Sequence, residues 1–212
     1  MEDNEIMTAE RSLEIISKAI EQGRRDVERN AGTPMIVWGV QTAAMGVIIF
    51  ALWTLTGKPS WNLLWFAMCA VGWGVYGYMK KRRSTSGRPT SYAWKLVSWV
   101  WTVFGILAVG TAVIGAFSYD TSVYGSRLPI TAVMILLLMF ASAVTAYVMK
   151  DKAYGAFIGG NVILANFALM YPGSYEPLLL ALSAVTLLIV PGIMINRQSR
   201  KADLNHQQME RH

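Results

Sequence analysis

The chain has 212 residues, of which 54% are hydrophobic and 15% charged, and its formal net charge is +6. The apolar share lies above the range of soluble globular domains and the charged share well below it, so a soluble single domain is excluded. The apolar residues gather in six long runs, the pattern of an all-α polytopic membrane protein.

Residues 1–33 precede the first run. Ile6, Ala9, Leu13, Ile16, Ile20, Gly23 and Val27 are spaced alternately by three and four, which predicts a helix with one apolar stripe. Thr8 is a candidate N-cap, and Arg24, Arg25 and Arg29 sit late, where cations suit a helix end. Gly32, just before Thr33 and Pro34, is expected to stop this helix, with Thr33 capping the next. The segment holds eight acids against five bases, whereas a helix lying on anionic lipid is basic on its polar face. The stripe, with Leu13, Ile16, Ile20 and Val27 as its contact face, is therefore expected to dock on a cytoplasmic protein, on a second copy or on its own bundle. Glu2, Asp3 and Glu5 make an acidic start, unlike a cleaved secretory signal.

Six spans follow, at 34–56, 61–79, 96–117, 128–149, 153–171 and 177–195, each of 19 to 23 residues and none containing Asp, Glu, Lys, Arg or His. About 20 helical residues cross a ~30 Å hydrocarbon layer, and one central charge costs roughly 2.5 to 3.5 kcal/mol, so all six are suited to insertion. Gly57, Lys58, Pro59 and Ser60 form a turn between the first two. Pro129 and Pro177 stand at helix starts, where a missing N–H removes no bond. Small residues recur at contact spacing in the second span (Ala67, Ala70, Gly74, Gly77), the third (Gly105, Ala108, Ala112) and the fifth (Gly155, Gly159). Pro191 and Gly192 are expected to end the last helix, ahead of a polar tail at 197–212.

Seventeen of the 19 Lys and Arg fall in the first tail, the second and fourth loops and the last tail; only Lys58 and Arg127 fall on the other side. The positive-inside rule then places both termini on the cytoplasmic side. The net charge is a topological signal and does not call for a nucleic-acid partner; the expected surroundings are membrane lipid and, at most, a protein partner.

Chemistry is sparse. Cys69 is the single cysteine and lies within a span, and His206 and His212 are both in the last tail, so no haem, zinc or other cofactor site and no metal site is expected. No nucleophile elbow, P-loop or metal spacing is present, so no catalytic residue is assigned and the chain is not expected to be an enzyme. The polar side chains at depth are Gln41, Asn161 and Asn166, the two asparagines diverging by about 140° around a helix. With Trp65, Trp73 and Trp99 they are the candidates for an aromatic and amide-lined cavity, which a small-solute or lipophile transporter would need. The absence of intramembrane acids or bases disfavours ion-coupled transport.

Ser12-Leu13-Glu14-Ile15-Ile16 leading to Arg24-Arg25, Val100-Trp101-Thr102-Val103-Phe104-Gly105-Ile106, and Val190-Pro191-Gly192-Ile193-Met194-Ile195-Asn196 together resemble a family of uncharacterised bacterial six-span membrane proteins. The resemblance implies the same fold over the whole chain and brings no activity or site residues with it. Family members often carry a polar residue, His among them, after the Pro-Gly, where this chain has Ile193. The function expected is that of an accessory or regulatory membrane protein acting through its N-terminal helix.

Overall fold

The computed structural model describes residues 2–83, 91–118, 129–171 and 173–209, with backbone alone for 2–10, 76, 79–80, 82–83, 116–118 and 201–209. Arg88, Arg127, Leu128 and His212 lie outside the described residues. Among the described residues every regular element is helical and there is no strand. In chain order they are α1 (Glu2–Thr56), a 3-10 turn (Pro59–Leu63), α2 (Leu64–Arg83), α3 (Tyr92–Ser118), α4 (Ile130–Met149), α5 (Lys152–Met170), α6 (Glu176–Ala184), a π turn (Val185–Ile189) and α7 (Val190–Met209).

Among the described residues five helices are long and apolar enough to cross a membrane: Arg11–Thr56, Tyr92–Gly115, Ile130–Met149, Lys152–Met170 and the continuous Glu176–Arg200. The run at 61–79 is not among them. Its first residues go into the 3-10 turn, and α2 ends on Lys80, Lys81, Arg82 and Arg83 after a stretch diluted by Gly, Trp and Tyr.

The expected break at 32–34 is absent. α1 is a single helix of 55 residues with Pro34 inside it, and among the described residues only Gly57 (φ 68°) is a glycine with positive φ, so Gly32 does not cap a helix end. The reason is packing. A proline removes one helix donor, which is tolerated where neighbouring helices hold the backbone on both sides. Here Val27, Ala31 and Met35 are buried in the core, flanking the proline at one-turn intervals.

Gly32, Gly39 and Gly46 repeat every seven residues along α1 and face the last span, which runs antiparallel to it. A Cβ on Gly39 would meet Leu188 Cβ at 2.9 Å, and one on Gly46 would meet Ala181 Cβ at 2.9 Å. At Gly32 the contact is reciprocal: a Cβ there would lie 2.9 Å from the Gly192 carbonyl oxygen, and a Cβ on Gly192 would lie 2.9 Å from that of Gly32. Lipid supplies no hydrophobic drive between helices, so close backbone approach and dispersion hold this seam over about 21 Å. Gly192 is thus a contact residue and not a stop, and α7 continues to Met209.

The remaining helices gather around this pair. Trp38 of α1 sits on Gly72 of α2, Gly115 of α3 faces Ile130 of α4, and Ile135, Leu138 and Leu187 fill the interior. The glycines of the rows expected to pack on α2 and α5 do not: no described neighbour lies within 4 Å of a Cβ built on Gly74, Gly77, Gly155 or Gly159. Gly39→Leu is therefore expected to destabilise the bundle by about 1–3 kcal/mol or more through overpacking. Gly74→Leu should leave the unfolding midpoint in detergent nearly unchanged, and thermal unfolding of both variants checks the contrast.

Candidate functional site

Two regions collect side chains that a plain bundle does not require. The first is the end of the bundle where α1 emerges. From Arg11 to Ile20 every residue is exposed, with Leu13 at 67%, Ile16 at 55% and Ile20 at 59%, whereas Gly23 and Val27 are buried. The stripe expected to act as one face is divided: Val27 belongs to the core, and Leu13, Ile16 and Ile20 stand on an arm beyond it.

The foot of the arm is fixed. Gly23 lies against Ala93, a Cβ there being 3.1 Å from that of Ala93. One turn on, Asp26 Oδ2 accepts the Ser91 backbone N–H at 3.1 Å, while Ser91 Oγ accepts the Trp94 N–H at 3.3 Å and caps α3. The charged face of the arm is paired along the helix, Lys18 with Glu14 at 2.6 Å, Arg24 with Glu21 at 3.0 Å and Glu28 at 3.5 Å, and Arg25 with Glu21 at 3.3 Å. Such exposed pairs stabilise little, but they leave the apolar stripe as the unengaged face. Partial burial raises the Glu28 carboxyl above its usual range, with Arg24 opposing it.

Beside the foot, a groove of about 940 Å³ opens between Ile16, Ile20 and Gly23 of α1, the start of α3 and the α4–α5 hairpin. The hairpin is tight. Lys150 takes the left-handed conformation (φ 55°) and ends α4, and Asp151 caps α5, its Oδ1 accepting the N–H groups of Ala153 at 2.9 Å and Tyr154 at 3.2 Å. Asp151 Oδ2 accepts from Gln198 Nε2 of α7 at 3.4 Å. One end of the bundle therefore gathers Arg24, Ser91, Lys150, Lys152 and Gln198.

The second region is polar and buried, where α4, α5 and the π turn meet. The Val190 N–H reaches back five residues to the Val185 carbonyl, and Pro191 has no N–H to offer, so this stretch has backbone acceptors to spare. The Tyr154 hydroxyl donates to the Leu187 carbonyl at 3.0 Å, and Asn161 Nδ2 donates to Thr186 Oγ1 at 2.9 Å and to the Phe157 carbonyl at 2.8 Å. On the far side of α4, Trp101 Nε1 donates to Thr145 Oγ1 at 3.1 Å, and Thr145 donates to the Ala141 carbonyl at 3.0 Å. Among the described residues Ser183 Oγ and Asn161 Oδ1 are buried without a hydrogen-bond partner, and Ser142 Oγ is buried in the same region as the Tyr154 hydroxyl.

The six residues expected to share a cavity are not brought together. Asn161 is in the polar cluster; Asn166 is exposed and donates only to the Val162 carbonyl of its own helix at 2.8 Å. Trp73 and Trp99 are exposed at 58% and 64%, and Trp99 lines a shallow outer notch of about 140 Å³ between α3 and α4. Trp65 and Gln41 are half-buried, with Gln41 Oε1 unpartnered. The cause is angular: positions 161 and 166, like 99 and 101, fall on widely separated faces of one helix. Sequence reasoning passed over Tyr154, Ser142, Thr145, Ser183 and Thr186. Their spacings, Ser142 to Thr145, Ser183 to Thr186 and Tyr154 to Asn161, place each pair on one face and were a usable signal.

Comparison with family models, with curated proteins and with solved structures gave no match. The site is therefore argued from its geometry alone. Among the described residues no group of three or more His, Cys, Asp or Glu comes together in a metal-holding arrangement.

Tyr154→Phe leaves the Leu187 carbonyl without its side-chain donor and is expected to lower stability by about 0.6–2 kcal/mol, the range for hydrogen bonds between membrane helices. Asn166→Ala should change it by less than about 0.5 kcal/mol, as for a site outside any network. Unfolding of both variants under one detergent condition checks the difference.

Proposed function

We propose that this chain is a non-enzymatic accessory or regulatory protein of a bacterial inner membrane, and that its α1 arm docks a cytoplasmic protein. The observation that carries this is the exposed stripe of Leu13, Ile16 and Ile20 on a helix whose foot is held by Gly23, Asp26 and Val27. An arm continuous with a membrane-crossing helix leaves the bilayer along that helix's axis, so Leu13, the part of its apolar face beyond the groove, is offered to water. Three exposed apolar residues at spacings of three and four fit helix-in-groove or helix-on-helix recognition.

Six crossings are part of this proposal, with α2 as the one that falls short in apolarity. α2 returns antiparallel along α1, Trp38 resting on Gly72, and a crossing there puts Lys80 to Arg83 at the same end as Arg24, Lys150 and Lys152. Seventeen of 19 basic residues then share the cytoplasmic side, together with both termini. The spread of Trp73, Trp99 and Asn166 over outer faces gives the solute-transport alternative no common cavity, which favours the docking proposal.

Topology is checked by thiol labelling in intact cells, with Cys69 first replaced by alanine. Arg11→Cys, Lys81→Cys and Lys150→Cys should resist an impermeant reagent, and Lys58→Cys should react; labelling of Lys81→Cys from outside would remove the sixth crossing. Docking is checked by photocrosslinking from position 13 against a control at Leu55, which is exposed at the other end of α1. A specific cytoplasmic adduct is expected at 13 only and should be lost in Ile16→Asp/Ile20→Asp with the unfolding midpoint unchanged; identical products at 13 and 55 would count against the proposal.

A further inference from the structure

The groove at the foot of the arm combines features that belong together in one kind of ligand site. Its floor is apolar and made of small side chains, with Ala143 and Ala146 of α4 and Gly155 of α5 leaving the space that larger residues would fill. Ile16 and Ile20 form the outer wall. Its rim is cationic: Lys150 and Lys152 line it, and neither forms an ion pair with a described residue. The one carboxylate of the lining, Asp151, has both oxygens turned away, one onto the α5 N-terminus and the other onto Gln198. Arg24, also on the rim, is held by Glu21 and Glu28. Tyr92 and Tyr147 stand at the same level, exposed at 81% and 85%, and tyrosines so placed mark the headgroup depth of a bilayer.

Lys150 adds a further indication. The αL position that ends a helix is normally glycine or asparagine, and this chain has a lysine there.

We propose that this groove binds an anionic phospholipid, its acyl chains on the Ala143, Ala146 and Gly155 floor and its phosphate on Lys150 and Lys152. Two unpaired cations at headgroup depth over an apolar slot select a negatively charged lipid over a zwitterionic one, because the slot serves any acyl chain and only the rim reads charge. The inference rests on the membrane embedding proposed above and not on the arm's partner, which is crosslinked from Leu13, outside the groove lining; the lysine variants leave the shared residues Ile16 and Ile20 unaltered, so the two tests can fail separately.

The test is lipid titration of the delipidated full chain followed by native mass spectrometry, with phosphatidylglycerol and phosphatidylcholine of matched chains as the probes. Each lysine near the surface is expected to contribute about fivefold in preference, so phosphatidylglycerol should be retained roughly 25-fold better. Lys150→Gln/Lys152→Gln should bring the two lipids to parity with the unfolding midpoint unchanged, and Gly155→Leu should weaken retention of both. Equal retention by the unaltered chain would overturn the proposal, as would a preference that survives loss of both lysines. A lipid-free dimer that Gly155→Leu dissociates would also overturn it, by making a second copy the occupant. Because the lysine variants alter only the exposed rim, they decide the matter even if Gly155→Leu fails to fold.

Discussion

The contact between the backbones of Gly32 and Gly192 is the closest approach on which the rest of the architecture depends. Each glycine leaves space that the other's carbonyl approaches, and the Asn196 and Ile36 side chains pack at the same contact, so the first and last long helices meet at close range. Gly39 and Gly46 extend the seam at seven-residue intervals, and the repeat keeps one face of α1 turned to one partner along its length. That clamp, together with the buried Val27, Ala31 and Met35, holds α1 straight through Pro34 and fixes the direction in which the arm leaves the bundle.

Among the described residues the buried interior holds no charge, yet it is not purely apolar. The π turn and Pro191 release backbone acceptors in the last span, and two side chains of α5 meet them. In hydrocarbon an unsatisfied polar group has no water to turn to, so a helix irregularity of this kind persists only where neighbours supply donors. Tyr154 does this directly, and Asn161 does it through Thr186. The cluster ties three helices at one depth, next to the seam that α1 makes with the last span.

A single stripe on α1 meets three environments in turn. Val27 is enclosed by the core, Ile20 and Ile16 wall the groove over the α4–α5 hairpin, and Leu13 stands clear of the bundle. The same residue spacing thus meets a packed core, a groove wall and open surroundings, and what separates these environments is how far the neighbouring helices reach. α3 begins at Tyr92 and α4 ends at Met149, so nothing described covers the arm beyond that level. The features read here as functional lie at the end of the bundle where positive charge accumulates, while the opposite end is held by a short turn in which Trp61 Nε1 donates to Thr56 Oγ1 at 2.7 Å.

Much of the fold was legible in advance because it depends on sums over local composition. An apolar run of about 20 residues predicts a crossing helix whatever its neighbours are, and five of the six runs have the required length and apolarity in the structure. The Gly57 turn and the start of α6 at Glu176 were readable for the same reason, each being set by the conformational limits of its own residues. The helix stop at Gly32, the stop at Gly192 and the contact role of Gly74 and Gly155 were misjudged. A glycine looks alike in sequence whether it ends a helix, faces lipid or admits another backbone, and only the chain opposite decides which. The candidate cavity failed to assemble on the same grounds, since Trp73, Trp99 and Asn166 turn outward by their place on each helix. Sequence alone determined the all-helical class, the presence of helices long and apolar enough to cross a membrane and the bias of charge, all of which are sums over residues taken one by one. Tertiary structure alone decided the unbroken α1, its glycine seam, the Tyr154 and Asn161 contacts and the groove beneath the arm, because each requires two distant segments to stand at the same height.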